Sequence, residues 1–312
     1  MGGALPESRP APVAPLVVER LRLRDVRNWA RLDLALPPGP VVLVGPNGAG
    51  KTNLLEAVYM LAIGKSFHAS NEREVINWEA ASTDGYAMVS GVVHRKDGRL
   101  KVQVGFQCVP ASPQPTQAEQ GQPAFSVRKQ VRVNGVPRTV LDLVGLANAV
   151  MFSAQDMELV LGAPALRRRY MDILISQVDP LYLKALQRYQ RVLLQRNQLL
   201  KMIREGRAKE AELEFWDQEL VREGAFITLR RQDVTATLAG LVHRRYLELT
   251  GGREEVSLQY VPSVEADPEA AALEKALYQA LTSGRRREVA LGATGAGPHR
   301  DDLKMLVGGM DM

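Results

Sequence analysis

Gly45-Pro46-Asn47-Gly48-Ala49-Gly50-Lys51-Thr52 is the stretch on which the reading of this chain turns. It satisfies G-x-x-x-x-G-K-[ST], the pattern of a phosphate loop. Glycines let backbone N–H groups turn inward around a polyphosphate, in conformations closed to other residues. Lys51 supplies a point charge for the β- and γ-phosphates, and Thr52 a hydroxyl for Mg²⁺. With Gly at ~7% of residues, chance would produce the pattern in on the order of one chain in a hundred of this length. Its flanks carry the context it requires. Val41-Val42-Leu43-Val44 is wholly apolar and mostly β-branched, which predicts a strand buried on both faces. Residues 53–63 predict a helix with Leu54, Leu55, Val58, Leu61 and Ala62 on one side. A following helix aims its positive end at the anion. Strand, loop and helix together predict an α/β fold that binds a nucleotide. No N-K-x-D tetrapeptide for reading guanine occurs, which favours ATP.

The rest of the chain limits the function classes. Its 312 residues, 46% hydrophobic and 24% charged, allow two domains and a folded core. No apolar run approaches the ~20 residues of a membrane span. One cysteine, Cys108, excludes a disulfide framework and a thiolate metal cage. A cytoplasmic location is expected. The net charge of +5 suits nucleic acid without demanding it. Counted by segment, it runs from +3 over 1–107 to −1 over 291–312, so no segment is strongly basic.

Outward from the loop, Leu16–Arg24 alternates apolar and charged residues, predicting a half-exposed strand at a sheet edge or face, with Leu32–Leu36 as hairpin partner. Strand patterns return over Tyr86–Phe106 and Phe125–Val136. Residues 1–15 read as a disordered tail and 108–125 as a flexible insertion. Residues 165–250 are mostly helical, with Leu220, Gly224, Ile227, Val234, Leu238 and Leu241 spaced as in a coiled hairpin seam. A strand over Glu254–Val261 and a helix over Asp267–Leu281 follow. The expected domains are a head lobe over 16–175, a helical arm lobe over 176–290 and a return to the head over 291–312.

Several blocks carry a resemblance. Residues 45–57 continue the loop with Asn53-Leu54-Leu55-Glu56-Ala57, preceded by Arg27-Asn28-Trp29 and followed by Gly64-Lys65-Ser66-Phe67. Phe152-Ser153-Ala154-Gln155-Asp156-Met157-Glu158-Leu159-Val160 leads to Gly162, Pro164, Arg168-Arg169 and Asp172. Trp216-Asp217 precedes Leu220 and Gly224; Thr294 precedes Gly297-Pro298-His299-Arg300-Asp301-Asp302-Leu303. In this order they resemble the RecF family of bacterial recombinational repair, relatives of the SMC ATPase heads. The resemblance runs from about residue 16 to 306. It implies a P-loop NTPase fold of the ABC-type ATPase head, a mixed sheet with helices, carrying an inserted helical arm lobe. It implies ATP and Mg²⁺ as cofactors, an ATP-dependent homodimer, and action on single-stranded or gapped duplex DNA. It also implies partnership with RecR and RecO in loading RecA, within repair, replication and the SOS response. The family's Walker B strand and signature Ser-Gly pair lie after the His-Arg-Asp-Asp block. No apolar run ending in an acidic pair occurs here, so the expectation is a chain truncated at its C-terminus that hydrolyses ATP hardly at all.

Other residues have two readings each. Gln155 lies where an ABC head places a glutamine that touches Mg²⁺; a solvated loop residue is the alternative. Arg27 and Asn28 could approach the nucleotide from the strand-end turn, or form a plain hairpin. Lys184, Arg188 and Arg191 share one helical face in the acid-free segment 180–204, as a phosphate-tracking DNA contact or as partners of the acidic segment 205–219. Arg167-Arg168-Arg169, Arg285-Arg286-Arg287 and Arg230-Arg231 read as solvated surface, Phe215-Trp216 as core, and His299 as structural. Two rival functions remain: a non-catalytic DNA- or protein-binding module with a vestigial phosphate loop, and an unrelated small-molecule kinase.

Overall fold

A computed structural model of the chain describes residues 16–69, 71–81, 85–110 and 125–311. The expected tail over 1–15 and most of the expected insertion lie outside them. The chain divides into two units between Met151 and Phe152.

The first unit is an antiparallel sheet with a helix on one face. Its strands are β1 (Val17–Val26), β2 (Trp29–Ala35), β3 (Tyr86–Arg95), β4 (Gly98–Pro110), β5 (Phe125–Val133) and β6 (Val136–Arg138). They lie in the order β2-β1-β3-β4-β5-β6. The period-2 pattern sorts their side chains: Leu21, Leu23, Val89, Val93, Val102 and Val104 are buried on one face. That face receives α1 (Lys51–Ile63), which buries Leu54, Ala57, Met60 and Leu61. Gly91 permits the close approach, because a Cβ there would fall 2.3 Å from Leu61 Cδ1. Asn134-Gly135, both with positive φ, closes β5 onto β6. Short helices α2 (Trp78–Ala81) and α3 (Val140–Leu143) complete the unit.

Three expectations are corrected here. Residues 41–44 form no strand: Val42 is 81% and Val44 90% exposed. A β-branched run supplies propensity, but a strand also needs an edge to pair with. The sheet's edges are β2 and β6, and the run pairs with neither. The insertion is shorter than read, since Cys108, Val109 and Pro110 pair with Val127, Ser126 and Phe125. Leu55, placed on the buried side, is 46% exposed.

The second unit is mainly helical. It holds α4 (Glu158–Leu161), α5 (Pro164–Val178), α6 (Pro180–Arg204), α7 (Leu213–Thr250) and α8 (Ala270–Leu291), with β7 (Val256–Val261), β8 (Asp302–Val307) and β9 (Met310–Asp311) in a second sheet. Asp179 caps α6 by accepting from the N–H groups of Leu181 and Tyr182, with Pro180 at the first position. Gly251 and Gly292, at φ 65° and 66°, end α7 and α8. The core joins Met171 and Ile175 of α5, Tyr182 and Tyr189 of α6, Leu220 and Ile227 of α7, and Leu273 and Leu277 of α8. Residues 152–175, read with the head lobe, fall in this unit. The α7 seam is buried at Leu220, Gly224 and Ile227 but fades to 46% exposure at Leu241. Helix α8 runs ten residues beyond its expected end and takes in Arg285–Arg287.

Candidate nucleotide-binding site

Backbone conformation shapes the loop first. Gly48 and Gly50 have φ of 82° and 93°, a region that a residue with a Cβ enters only under strain. Gly50 is also the N-cap of α1 and gives the helix no side-chain cap. The first turn carries no acidic residue. The first N–H groups of α1 are therefore left for an external acceptor, and the helix dipole favours an anion there. Lys51 Nζ donates to the carbonyls of Gly45 (2.7 Å) and Pro46 (2.8 Å). Thr52 is exposed on the same turn. These donors and this fold of backbone fit a polyphosphate.

The β1–β2 turn braces the loop from one side. A Cβ on Gly50 would lie 2.6 Å from the Asn28 amide and 2.7 Å from Trp29 Nε1. Trp29 Nε1 donates to the Gly50 carbonyl at 3.3 Å, and Asn53 Nδ2 donates to Asn28 Oδ1 at 2.8 Å. Arg27 holds a positive φ of 53°, kept in place by its own N–H on the Val75 carbonyl and by Asn77 Nδ2 on its carbonyl. Its guanidinium is committed to Glu56 through two bonds, 2.9 and 2.8 Å. Glu56 is 1% exposed and also accepts from the Ser66 hydroxyl. Of the two turn residues read as nucleotide-facing, Asn28 touches the loop and Arg27 buttresses α1. Trp29, Asn53, Glu56 and Ser66 were not singled out from the sequence for a role. The only signal for them was their place inside the blocks of resemblance.

Comparison with known proteins follows the same lines. The model of the RecF/RecN/SMC N terminal domain matches residues 17–142. The DNA replication and repair protein RecF of Chloroflexus aurantiacus is 39% identical over 306 residues, covering 95% of this chain and 76% of that protein. Its counterpart in Herpetosiphon aurantiacus is 41% identical over 292 residues, covering 93% and 74%. The chain belongs to the RecF family. A solved structure of the recombination mediator protein RecF-ATP in the RecFOR pathway superposes with a TM-score of 0.85 at 27% identity, over 97% of this chain and 76% of that one. The ATPrS-bound form gives 0.83 at 28%, over 96% and 76%. The fold is thus the α/β ABC-type ATPase head of the RecF family, as expected.

The remaining RecF-like residues lie in the second unit. Gln155 sits on a short 3₁₀ turn, Ala154–Met157, in that unit. Lys184, Arg188 and Arg191 are exposed on α6. Arg188 lies 3.5 Å from Glu223 of α7, and Arg191 Nε donates to its own helix at Gln187 (3.4 Å). Arg196, from the same basic series, is fully buried between Asp217 (2.6 Å) and Glu288 (2.7 Å), with Thr294 at 2.8 Å. Of the arginines read as surface, Arg231 is buried and Arg167 and Arg168 are half-buried. Arg231 is 2% exposed and bonds Asp172 and the Pro298 carbonyl. Arg167 grips Asp302 with two bonds of 2.8 Å, and Arg168 donates to the Asp301 carbonyl. Unpaired arginines would be expelled from such a core, but these have acid or carbonyl partners distant in sequence. Phe215 is 62% exposed while Trp216 packs on Leu199 and Leu213, so only half of that pair is core.

His299 is structural. Its Nε2 faces the Thr294 carbonyl at 3.1 Å, and a carbonyl only accepts, so Nε2 carries the proton. Nδ1 therefore accepts from the Tyr189 hydroxyl, 2.6 Å away. Burial, with Arg300, Arg168 and Arg196 nearby, holds its pKa down to about 4. It is a neutral strut at pH 7.

Proposed function

We propose that this chain is an ATP-binding DNA replication and repair protein of the RecF type. It acts at single-strand gaps or gapped duplexes, with RecR and RecO, to help load RecA in recombinational repair and the SOS response, in the cytoplasm. The observation that carries the nucleotide reading is the uncapped, acid-free start of α1 under a glycine loop, with Lys51 seated on the loop's carbonyls. The relatives named as DNA replication and repair proteins, and the solved RecF-ATP form, support the rest.

Gly45, Pro46, Asn47, Gly48, Ala49 and Gly50 would hold the phosphates through backbone N–H groups, and Lys51 would leave its carbonyls for the β- and γ-phosphates. Asn28 borders the loop. Among the described residues no group of three or more His, Cys, Asp or Glu could hold a metal. Mg²⁺ would be held by the phosphates, by Thr52 and, as the resemblance implies, by Gln155. The chain's own residues bind and orient; ATP then gates assembly into a homodimer on DNA. Lys184, Arg188 and Arg191 are candidates for a DNA contact on the arm. No helix among the described residues is long and apolar enough to cross a membrane.

Calorimetry with ATP and Mg²⁺ tests the reading. Charge-assisted hydrogen bonds contribute about 1.5–3 kcal/mol each, so Lys51→Ala is expected to weaken binding about ten-fold or more. Equal binding by both proteins would remove the loop from the site. DNA binding that neither ATP nor Lys51→Ala alters would favour a non-catalytic binding module.

A further inference from the structure

On the face of the first sheet opposite α1 the charged side chains are exposed and nearly all of one sign. On β1, Arg20, Arg22 and Arg24 point outward, alternating with buried Leu21 and Leu23. Registers carry the pattern to the neighbours. Arg24 lies across from Arg31 of β2 and Met88 of β3. On β4, Arg99 and Lys101 pair with His94 and Val92, which share the outward parity. On β5, Arg132 and Arg128 pair with Gln103 and Gln107. The face thus presents eight cations, all exposed. The acids that reach it are Asp33, bound to Arg20 and Arg22, Glu19, bound to Arg99, and Asp25, 3.4 Å from Arg24. That excess equals the +5 of the entire chain. An ordinary solvated face mixes both signs. Arg31, Lys101, Arg128 and Arg132 have no acidic partner among the described residues.

We propose that this face is a docking surface for the phosphate backbone of duplex DNA. The inference rests on the DNA-directed reading above and places the contact on the sheet. Charge complementarity carries it. Strands lie about 4.8 Å apart, so from β2 to β5 the face spans about 19 Å. Duplex DNA carries one charge per ~1.7 Å, so that length of duplex carries on the order of ten phosphates, of which the face meets those on its own side. Arginine suits them, because its planar fork grips phosphate oxygens in pairs. Among the described residues no helix projects from this face to enter a groove, so the contact reads backbone and not sequence.

The test is fluorescence anisotropy of the full chain with a labelled duplex, in salt from about 50 to 200 mM. Neutralising Lys101, Arg128 and Arg132 together (K101Q, R128Q, R132Q) is expected to flatten the slope of log affinity against log salt by about three, one for each phosphate no longer gripped. ATP affinity and the unfolding midpoint should stay as in the parent chain. If the triple variant misfolds, Arg31→Gln with Lys101→Gln, on β2 and β4, should flatten it by about two. A parent chain that binds duplex with a salt slope, beside a folded variant that keeps it, overturns the sheet face and leaves the DNA reading standing. A slope that flattens on neutralising Lys184, Arg188 and Arg191 instead would place the contact on the arm. A parent chain with no salt-dependent duplex binding overturns both. Equal affinity for polyglutamate, abolished in the same variant, would make the partner an acidic protein.

Discussion

Gly50 shows how much one position can carry. It is the helix cap, it holds a left-handed φ of 93°, and the Asn28 and Trp29 side chains stand 2.6 and 2.7 Å from where its Cβ would be. Gly50→Ala is therefore expected to cost about 1–3 kcal/mol in strain and displaced neighbours. Thermal unfolding of the variant, with ATP titrated alongside, should show a lower midpoint and weakened binding. An unchanged midpoint would mean that the turn yields without cost. The glycines and Lys51 were legible in the sequence because a phosphate loop fixes residue type at fixed spacing. The Arg27–Glu56 pair was not, because an ion pair formed 29 residues apart leaves no periodic trace.

Between elements, buried charge ties the helices of the second unit together. Asp217 of α7 accepts from Arg196 of α6 at 2.6 Å and from Arg285 of α8 at 2.5 Å, and is wholly buried. Asp217→Ala would take the acid from Arg285 and leave Arg196 with Glu288 alone. Breaking such a pair costs about 3–5 kcal/mol. Chemical denaturation should show that destabilisation, and a change below about 1 kcal/mol would mean that water already screens the cluster. The helices themselves were readable from their apolar spacing. Their charged surface was misread at Arg231, Arg167 and Arg168, because periodicity reports which face a residue occupies and not whether an acid waits across it. The run at 41–44 failed for the complementary reason: a strand is a property of two segments, and only one was in view.

For the molecule as a whole, His299 contributes to the pH dependence of stability. Its folded pKa is held down to about 4, below the ordinary value of 6.5. A base depressed on folding adds stability that is fully present above pH ~6.5 and lost as pH falls toward about 4, by up to about 3 kcal/mol. The difference in unfolding free energy between the parent chain and His299→Gln should shrink across that window. A difference that stays constant would show that the imidazole titrates normally. Fold class and the nucleotide loop were thus written locally, in spacing and composition. The net charge by segment hid the basic sheet face, because alternate residues of four separate strands contribute to it and no single segment is rich in cations. One strand also joins the two surfaces. The turn at the end of β1 braces the phosphate loop through Asn28, and the same strand carries Arg20, Arg22 and Arg24 on the far side of the sheet. A nucleotide at the loop and a polyanion on that face would never meet. The shortest covalent path between them is the backbone from Arg24 to Asn28, so a message passing from one ligand to the other by this route would travel as a twist of a single strand.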